Sequence, residues 1–462
     1  MVQLYMTDDI AHLRNFPLYF YGQQFMGPLE SYILAPFLRV FGSYYLTARF
    51  WNEIFYLALM VFSLGTVNRL FGRERSNFVL LFLSVAPFPV LFFTTILGYV
   101  EILPLAALSL ILLLKVASEE RGNFGFALAL GFVSGLAMWC NPIFVIWLAP
   151  IGISLVALVP SSWKRKIPLG FALGLGLGLF PAWIHTLRTG TPMFVHTAGV
   201  RFTPRADLPK QAYLFLARMK YFLTTSFFEP SLRLRKLLPI PAFFVFGIFL
   251  ISFAAELFSF IRNFTRQSLS EKIFHLFVLL PPFILAGLYI SRDLTTDEGI
   301  RYFLPLVLVY PFTMAGWIHG FRSRFWKRAI LISLVGILFA VSFVSLKIQN
   351  RQRENLVRVL QFLQQKDLRY GVGDLNSAYG LNALSRNRVQ VTPAFYERRY
   401  LSLWNTVREK GPQFFIFEPV EHRYRKRLES EPQITKVVLG GREIFYGRSR
   451  LLEEILETKD PL

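Results

Sequence analysis

A chain of 462 residues that is 54% hydrophobic and only 17% charged is too apolar for a soluble protein of its size. Its formal charge of +21 comes from Lys and Arg that punctuate apolar blocks instead of forming one basic stripe. That argues against nucleic acid as a partner and points to the basic loops of a membrane protein. The single cysteine, Cys140, excludes an intrachain disulfide and leaves the redox compartment unmarked.

The apolar blocks are long enough for helices that cross a ~30 Å hydrocarbon core, which takes about 20 residues each. Backbone polar groups must be satisfied locally in that core, so uninterrupted blocks mean helices. The alternation of a membrane β-barrel is absent. In chain order the blocks predict spans at 44–70, 77–96, 98–117, 124–141, 143–160, 167–187, 240–262, 273–291, 302–320 and 329–348, about ten transmembrane helices. The short basic loops at 72–75, 118–122, 163–166, 262–272 and 322–328 fall on one side, which makes that side cytoplasmic. The other side receives outer loops at 1–43 and 188–239, and everything after Lys347. Residues 1–348 thus read as a polytopic membrane domain.

From 349 the charges become dense. Strand-like runs at Gln413 to Phe417 and Lys436 to Leu439 alternate with helical stretches such as Glu354 to Gln365. This predicts a small extracytoplasmic α/β domain at 349–462, so the fold class is mainly α with a soluble α/β end. Two glycine-rich stretches are read as structural. Gly174-Leu-Gly176-Leu-Gly178 lies inside a span, where small residues let helices approach. Gly371-Val-Gly373 lacks the third glycine of a dinucleotide fingerprint.

The informative polar residues sit where they cost something. Gln23, Gln24 and Glu30 lie among aromatics such as Tyr21, suited either to a hydroxyl-rich ligand or to an interfacial helix with an aromatic belt. Glu101 follows Gly98-Tyr99-Val100 at the outer mouth of a span, where it either faces a polar cavity or is solvated at the interface. Asn52 and Glu53 lie within a span, and Glu53 needs a partner there. Arg301-Tyr302 enters the membrane from outside, against the charge bias, and asks for an anion such as a lipid phosphate. The six histidines show no metal-ligand spacing, and no nucleophile elbow occurs, so no cofactor or metal is expected.

The block Phe16-Pro-Leu-Tyr-Phe-Tyr21-Gly22-Gln23-Gln24-Phe25-Met26-Gly27-Pro-Leu-Glu30 resembles the first-loop signature of bacterial GT-C glycosyltransferases. These are the relatives of dolichyl-phosphate-mannose protein mannosyltransferases and of the lipid A aminoarabinose transferase. Gly98-Tyr99-Val100-Glu101, Gly135 to Trp139, Arg301-Tyr302-Phe-Leu-Pro305-Leu306 and Asn376 to Leu381 support the resemblance by their order. The resemblance implies inverting transfer from a polyprenyl-phosphate sugar donor to an envelope acceptor (lipid, glycan or protein) on the outer face of the bacterial inner membrane. In that mechanism a carboxylate in the first outer loop acts as base or orients the acceptor, and arginine holds the leaving phosphate. Carried over, Glu101 is a second acidic group and Arg301 with Tyr302 a phosphate contact. Tyr21, Gln23, Gln24 and Tyr99 line the sugar or acceptor site, and Glu30 begins a helix along the membrane.

One departure stands out. In relatives the catalytic Asp lies about sixteen residues before the Phe-Pro pair, by the resemblance, at the end of a first transmembrane helix. That position falls before Met1 here, and Asp8 and Asp9 are the nearest carboxylates, at too short a spacing. The expectation is therefore a missing first helix. A transporter or lipid flippase, or a non-catalytic relative that binds the carrier lipid, remain the alternative readings.

Overall fold

The computed structural model describes residues 2–21, 26–42, 44–84, 101–118, 123–158, 166–190, 207–224, 239–291, 303, 305–385, 388–393, 401–417, 424–447 and 449–457. These form two compact units. One contains residues 24–30 and 49–345, and the other gathers 1–23, 31–48 and 346–462.

The first unit is helical. Its elements are α3 (Tyr44–Phe71, entering the unit at Arg49), α4 (Arg73–Ser84), α5 (Ile102–Ser118), α6 (Phe124–Cys140), α7 (Val145–Ile153), α8 (Lys166–Gly178), α9 (Phe180–Thr189), α10 (Leu208–Thr224), α11 (Pro239–Asn263), α12 (Leu269–Ser291), α13 (Leu306–His319) and the first part of α14 (Arg324–Gln365). All but α10, which lies in the segment 188–239 read as an outer loop, overlap an apolar block. Among the described residues, helices at Glu53–Phe71, Phe246–Asn263 and Leu269–Ile290 are long and apolar enough to cross a membrane alone; α8 and α9 qualify together, bent by 53°.

Glycine decides how α6 and α8 meet. A Cβ at Gly174 would collide with the Leu128 carbonyl, one at Gly178 with that of Phe132, and one at Gly131 with that of Phe171. Gly176, which alternates with them, meets nothing within 4 Å. The glycine run is a close-approach seam, as its composition suggested. Asn141 then ends α6: its side chain accepts from Ile143 N at 3.0 Å and starts the short turn Pro142–Phe144.

The second unit holds α1 (Val2–Ala11), most of α2 (Leu29–Phe41), the end of α14 and the C-terminal sheet. Ile10 and Ala11 of α1 pack against Ala35 and Leu38 of α2, and Tyr32 donates to the Pro17 carbonyl at 2.9 Å. The sheet comprises β1 (Tyr370–Gly373), β2 (Gln390–Pro393), β3 (Phe414–Phe417), β4 (Ile434–Leu439) and β5 (Arg442–Gly447), in the order β2-β1-β3-β5-β4. β1 runs parallel to β2 and β3, joined through α15 (Leu375–Ser385) and α16 (Leu401–Lys410), while β4–β5 is a hairpin. Its two turn residues, Gly440 and Gly441, both have positive φ, as a two-residue hairpin requires.

Strand alternation gives the sheet two cores. Phe414 and Ile416 join Val359, Leu363 and Leu381 on one face. Phe415 and Phe417 join Trp404, Val407 and Leu452, the last from α17 (Arg450–Glu457), on the other. Gly371 lies against the Phe414 ring, so the Gly-Val-Gly run serves strand packing.

Candidate functional site

The residues singled out by the sequence fall into two groups in the structure. In the unit holding the C-terminal sheet, Asp8 and Asp9 end α1 and are held by a tight polar set. Arg14 pairs with Asp8 and lies 3.2 Å from Asp9; His12 Nδ1 is 3.1 Å from Asp8. The Tyr21 hydroxyl donates to Asp9 at 2.8 Å and accepts from Asn15 at 3.0 Å. Within the same block, burial pushes the Tyr19 phenol up to about 12, which keeps it a neutral hydroxyl. Both aspartates are therefore neutralised by a guanidinium.

The helical unit contains the other group. Glu30 is 1% exposed and Glu101 is 0% exposed. Glu30 is the charged neighbour of Glu101, and Cys140 lies in the field of both. Neither Glu101 oxygen receives a hydrogen bond from a described residue. Glu30 and Glu101 thus bring two acidic side chains together out of water.

The backbone explains how Glu30 gets there. Gly27 N donates to the carbonyls of Trp139 at 2.8 Å and Cys140 at 3.2 Å, and a Cβ at Gly27 would enter the Trp139 indole. Glycine is the residue that lets this loop lie flat on the end of α6. Three residues later the chain starts α2, with Glu30 in its first turn. The site is thus a buried acid pair clamped by a glycine-on-tryptophan contact.

Comparison with solved structures decides what architecture carries this pair. A crystal structure of ArnT from Cupriavidus metallidurans in the apo state matches with a TM-score of 0.60 at 12% identity, covering 97% of this chain and 93% of that one. The same protein bound to undecaprenyl phosphate matches with a TM-score of 0.58 at 10% identity, with the same coverage. The chain has the fold of ArnT. The GT-C resemblance read from the first-loop block is borne out at the level of the fold. An archaeal oligosaccharyltransferase, AglB from Archaeoglobus fulgidus in complex with an inhibitory peptide and a dolichol-phosphate, also matches, with a TM-score of 0.43 at 12% identity over 90% of this chain and 65% of that one. No protein-family model and no curated protein sequence matches the chain.

Of the remaining expected site residues, Gln23, Gln24, Tyr99, Arg301 and Tyr302 lie outside the described residues. Glu53 is exposed on α3. The strongest buried ion cluster is one the sequence reading missed. Arg75 of α4 pairs with Glu256 of α11, whose Oε1 lies 3.3 Å from His275 Nε2 of α12, while His275 Nδ1 faces the Glu271 carbonyl at 2.7 Å. Arg75 also lies over the Phe71 ring at 4.1 Å, and a Cβ at Gly316 of α13 would strike its guanidinium. The sequence puts Arg75 in a short basic loop, whereas its side chain is buried. Glu256, inside the run Phe-Ala-Ala-Glu-Leu-Phe, was a signal that cost alone would have flagged.

Proposed function

We propose that this chain is a membrane glycosyltransferase that moves a sugar from a polyprenyl-phosphate-linked donor to an envelope acceptor, with inversion, on the extracytoplasmic face. The observation that carries the reading is the buried Glu30–Glu101 pair, two acidic side chains brought together in a chain of ArnT's fold. ArnT itself is known in a form bound to undecaprenyl phosphate, which fits a lipid-phosphate donor for this chain.

In this reading Glu101, with Glu30 beside it, takes the proton of an acceptor hydroxyl. The acceptor oxygen then bonds the anomeric carbon as the bond from that carbon to the phosphate oxygen breaks. The electron pair of that bond leaves on the lipid phosphate, and Arg301 with Tyr302 stabilises the charge. Tyr21, Gln23, Gln24 and Tyr99 orient the sugar or acceptor. Asp8 and Asp9, bound to Arg14, hold the first outer segment in shape. About ten spans carry the chain through the bacterial inner membrane, and the domain after Lys347 lies outside.

The test uses full-length protein in liposomes, with polyprenyl-phosphate sugars extracted from the host membrane as donor. Glu101→Gln preserves size and removes the ionisable group. Transfer is expected to fall by about 10²–10⁴-fold, and Glu30→Gln to lower it as well. Transfer undiminished in both variants would sink the assignment. Lipid flipping without sugar transfer would favour a transporter.

A further inference from the structure

The C-terminal sheet carries a cleft of its own. Its volume is about 630 Å³, within the range of small-molecule sites. Three features of the chain shape it. Gly411, at φ +74, takes the left-handed position after α16, and both it and Lys410 line the cleft. Gln413 forms the floor, and its carboxamide oxygen accepts from the backbone N–H of Arg369 at 2.7 Å and of Tyr370 at 3.1 Å. Both lone pairs are used, so the amide nitrogen is what remains to offer, in a fixed orientation. The Tyr446 ring forms a wall and is braced edge-on by Phe362 at 5.6 Å.

Several basic side chains of the domain are tied up in ion pairs. Arg408, Arg425, Arg427 and Lys436 each reach a carboxylate. Lys410 and Arg450, which both line the cleft, have no ion-pair partner among the described residues. An ammonium, a guanidinium and an amide N–H beside one aromatic wall form a donor set for an oxyanion attached to a ring.

We propose that this cleft binds an acidic saccharide unit, its carboxylate or phosphate held by Lys410 and Arg450 and its ring lying along Tyr446. Gln413 donates to a ring or anion oxygen, and Glu453 at the rim accepts from a hydroxyl. The site goes beyond the transfer reading, because binding here is measurable whether or not the chain transfers sugar.

Full-length protein in detergent is titrated by calorimetry with glucuronate, glucose 6-phosphate, glucose and inorganic phosphate. Glucuronate and glucose 6-phosphate are expected to bind saturably and more tightly than glucose. Lys410→Gln and Arg450→Gln each weaken them by about tenfold or more, Lys410→Arg largely restores binding, and Lys436→Gln leaves it unchanged. Three results would overturn the proposal: unaltered binding in the Lys410→Gln/Arg450→Gln double variant, glucose binding as tightly as glucuronate, or inorganic phosphate binding as tightly as glucose 6-phosphate. The last outcome marks a bare anion site.

Discussion

Glu256 and Glu101 are both buried in the helical unit, at 8% and 0% exposure, yet their surroundings are opposite. Glu256 meets Arg75 and His275, two potential cations that bring α4, α11 and α12 together. Glu101 meets Glu30, another acid. Burying a charge costs several kcal/mol unless a partner compensates it. The first arrangement has its compensation and reads as a clamp. The second sets one acid beside another, the arrangement of groups kept for chemistry more than for cohesion.

The contrast breaks most visibly on stability. Glu256→Ala leaves Arg75 buried beside His275 without an anion and is expected to lose about 3–5 kcal/mol. Glu101→Ala removes a like-charge contact and is expected to leave the unfolding temperature unchanged or raise it. Thermal unfolding of the detergent-solubilised protein, followed by size-exclusion chromatography, measures both. Equal losses in the two variants would dissolve the distinction.

Chemical labelling sharpens it next. A lipid-soluble carbodiimide reacts with protonated carboxyl groups. Label is therefore expected preferentially on the Glu30–Glu101 pair, because Glu256 is engaged by Arg75 in a buried ion pair. Peptide mass spectrometry locates the adducts, and Glu101→Gln should remove most of the pair's label. Predominant labelling of Glu256 would reverse the assignment.

Much of the fold was legible because it depends on local pattern. The apolar blocks gave most of the helices, the strand-like run Gln413 to Phe417 gave β3, and the Gly174–Gly178 run gave a helix seam. Glu30 and Glu101 were each visible as costly, and the first-loop block pointed to the right fold. Their contact was not legible. Nothing in local sequence brings the start of α2 to the start of α5; that needs Gly27 to lie on Trp139. Arg75 was misplaced for the same reason, since a short basic turn reads as solvated until α11 and α12 cover it.

The Gly27 clamp offers a smaller and more selective perturbation. Gly27→Ala forces a methyl into the Trp139 ring and is expected to cost about 1–3 kcal/mol. Carbodiimide labelling of the acid pair should change while the Arg75–Glu256–His275 cluster stays intact. Adding Trp139→Leu should recover part of the loss, and a double-mutant cycle measures the coupling. No coupling between the two sites would show that the loop is held by something else.

The smallest effect belongs to charges that are paired yet exposed. Arg427 meets Glu454 through two bonds of 2.9 and 2.8 Å, with side chains 54% and 50% exposed. Water screens such a pair, so Arg427→Ala is expected to shift the unfolding temperature by less than about 2 °C. Acid gives the sign. The hydrogen bond from Arg427 holds the Glu454 carboxyl below its ordinary range. Whatever stability it adds is therefore present above the ordinary carboxylate pKa of about 4.3 and is lost as pH falls through the lowered value. Unfolding curves for the wild type and Arg427→Ala should differ slightly at neutral pH and converge in acid. A difference that grew in acid would show that the pair acts through something other than charge. A good ion pair at the surface thus changes almost nothing, and the same chemistry matters for Glu256 because water is kept away from it.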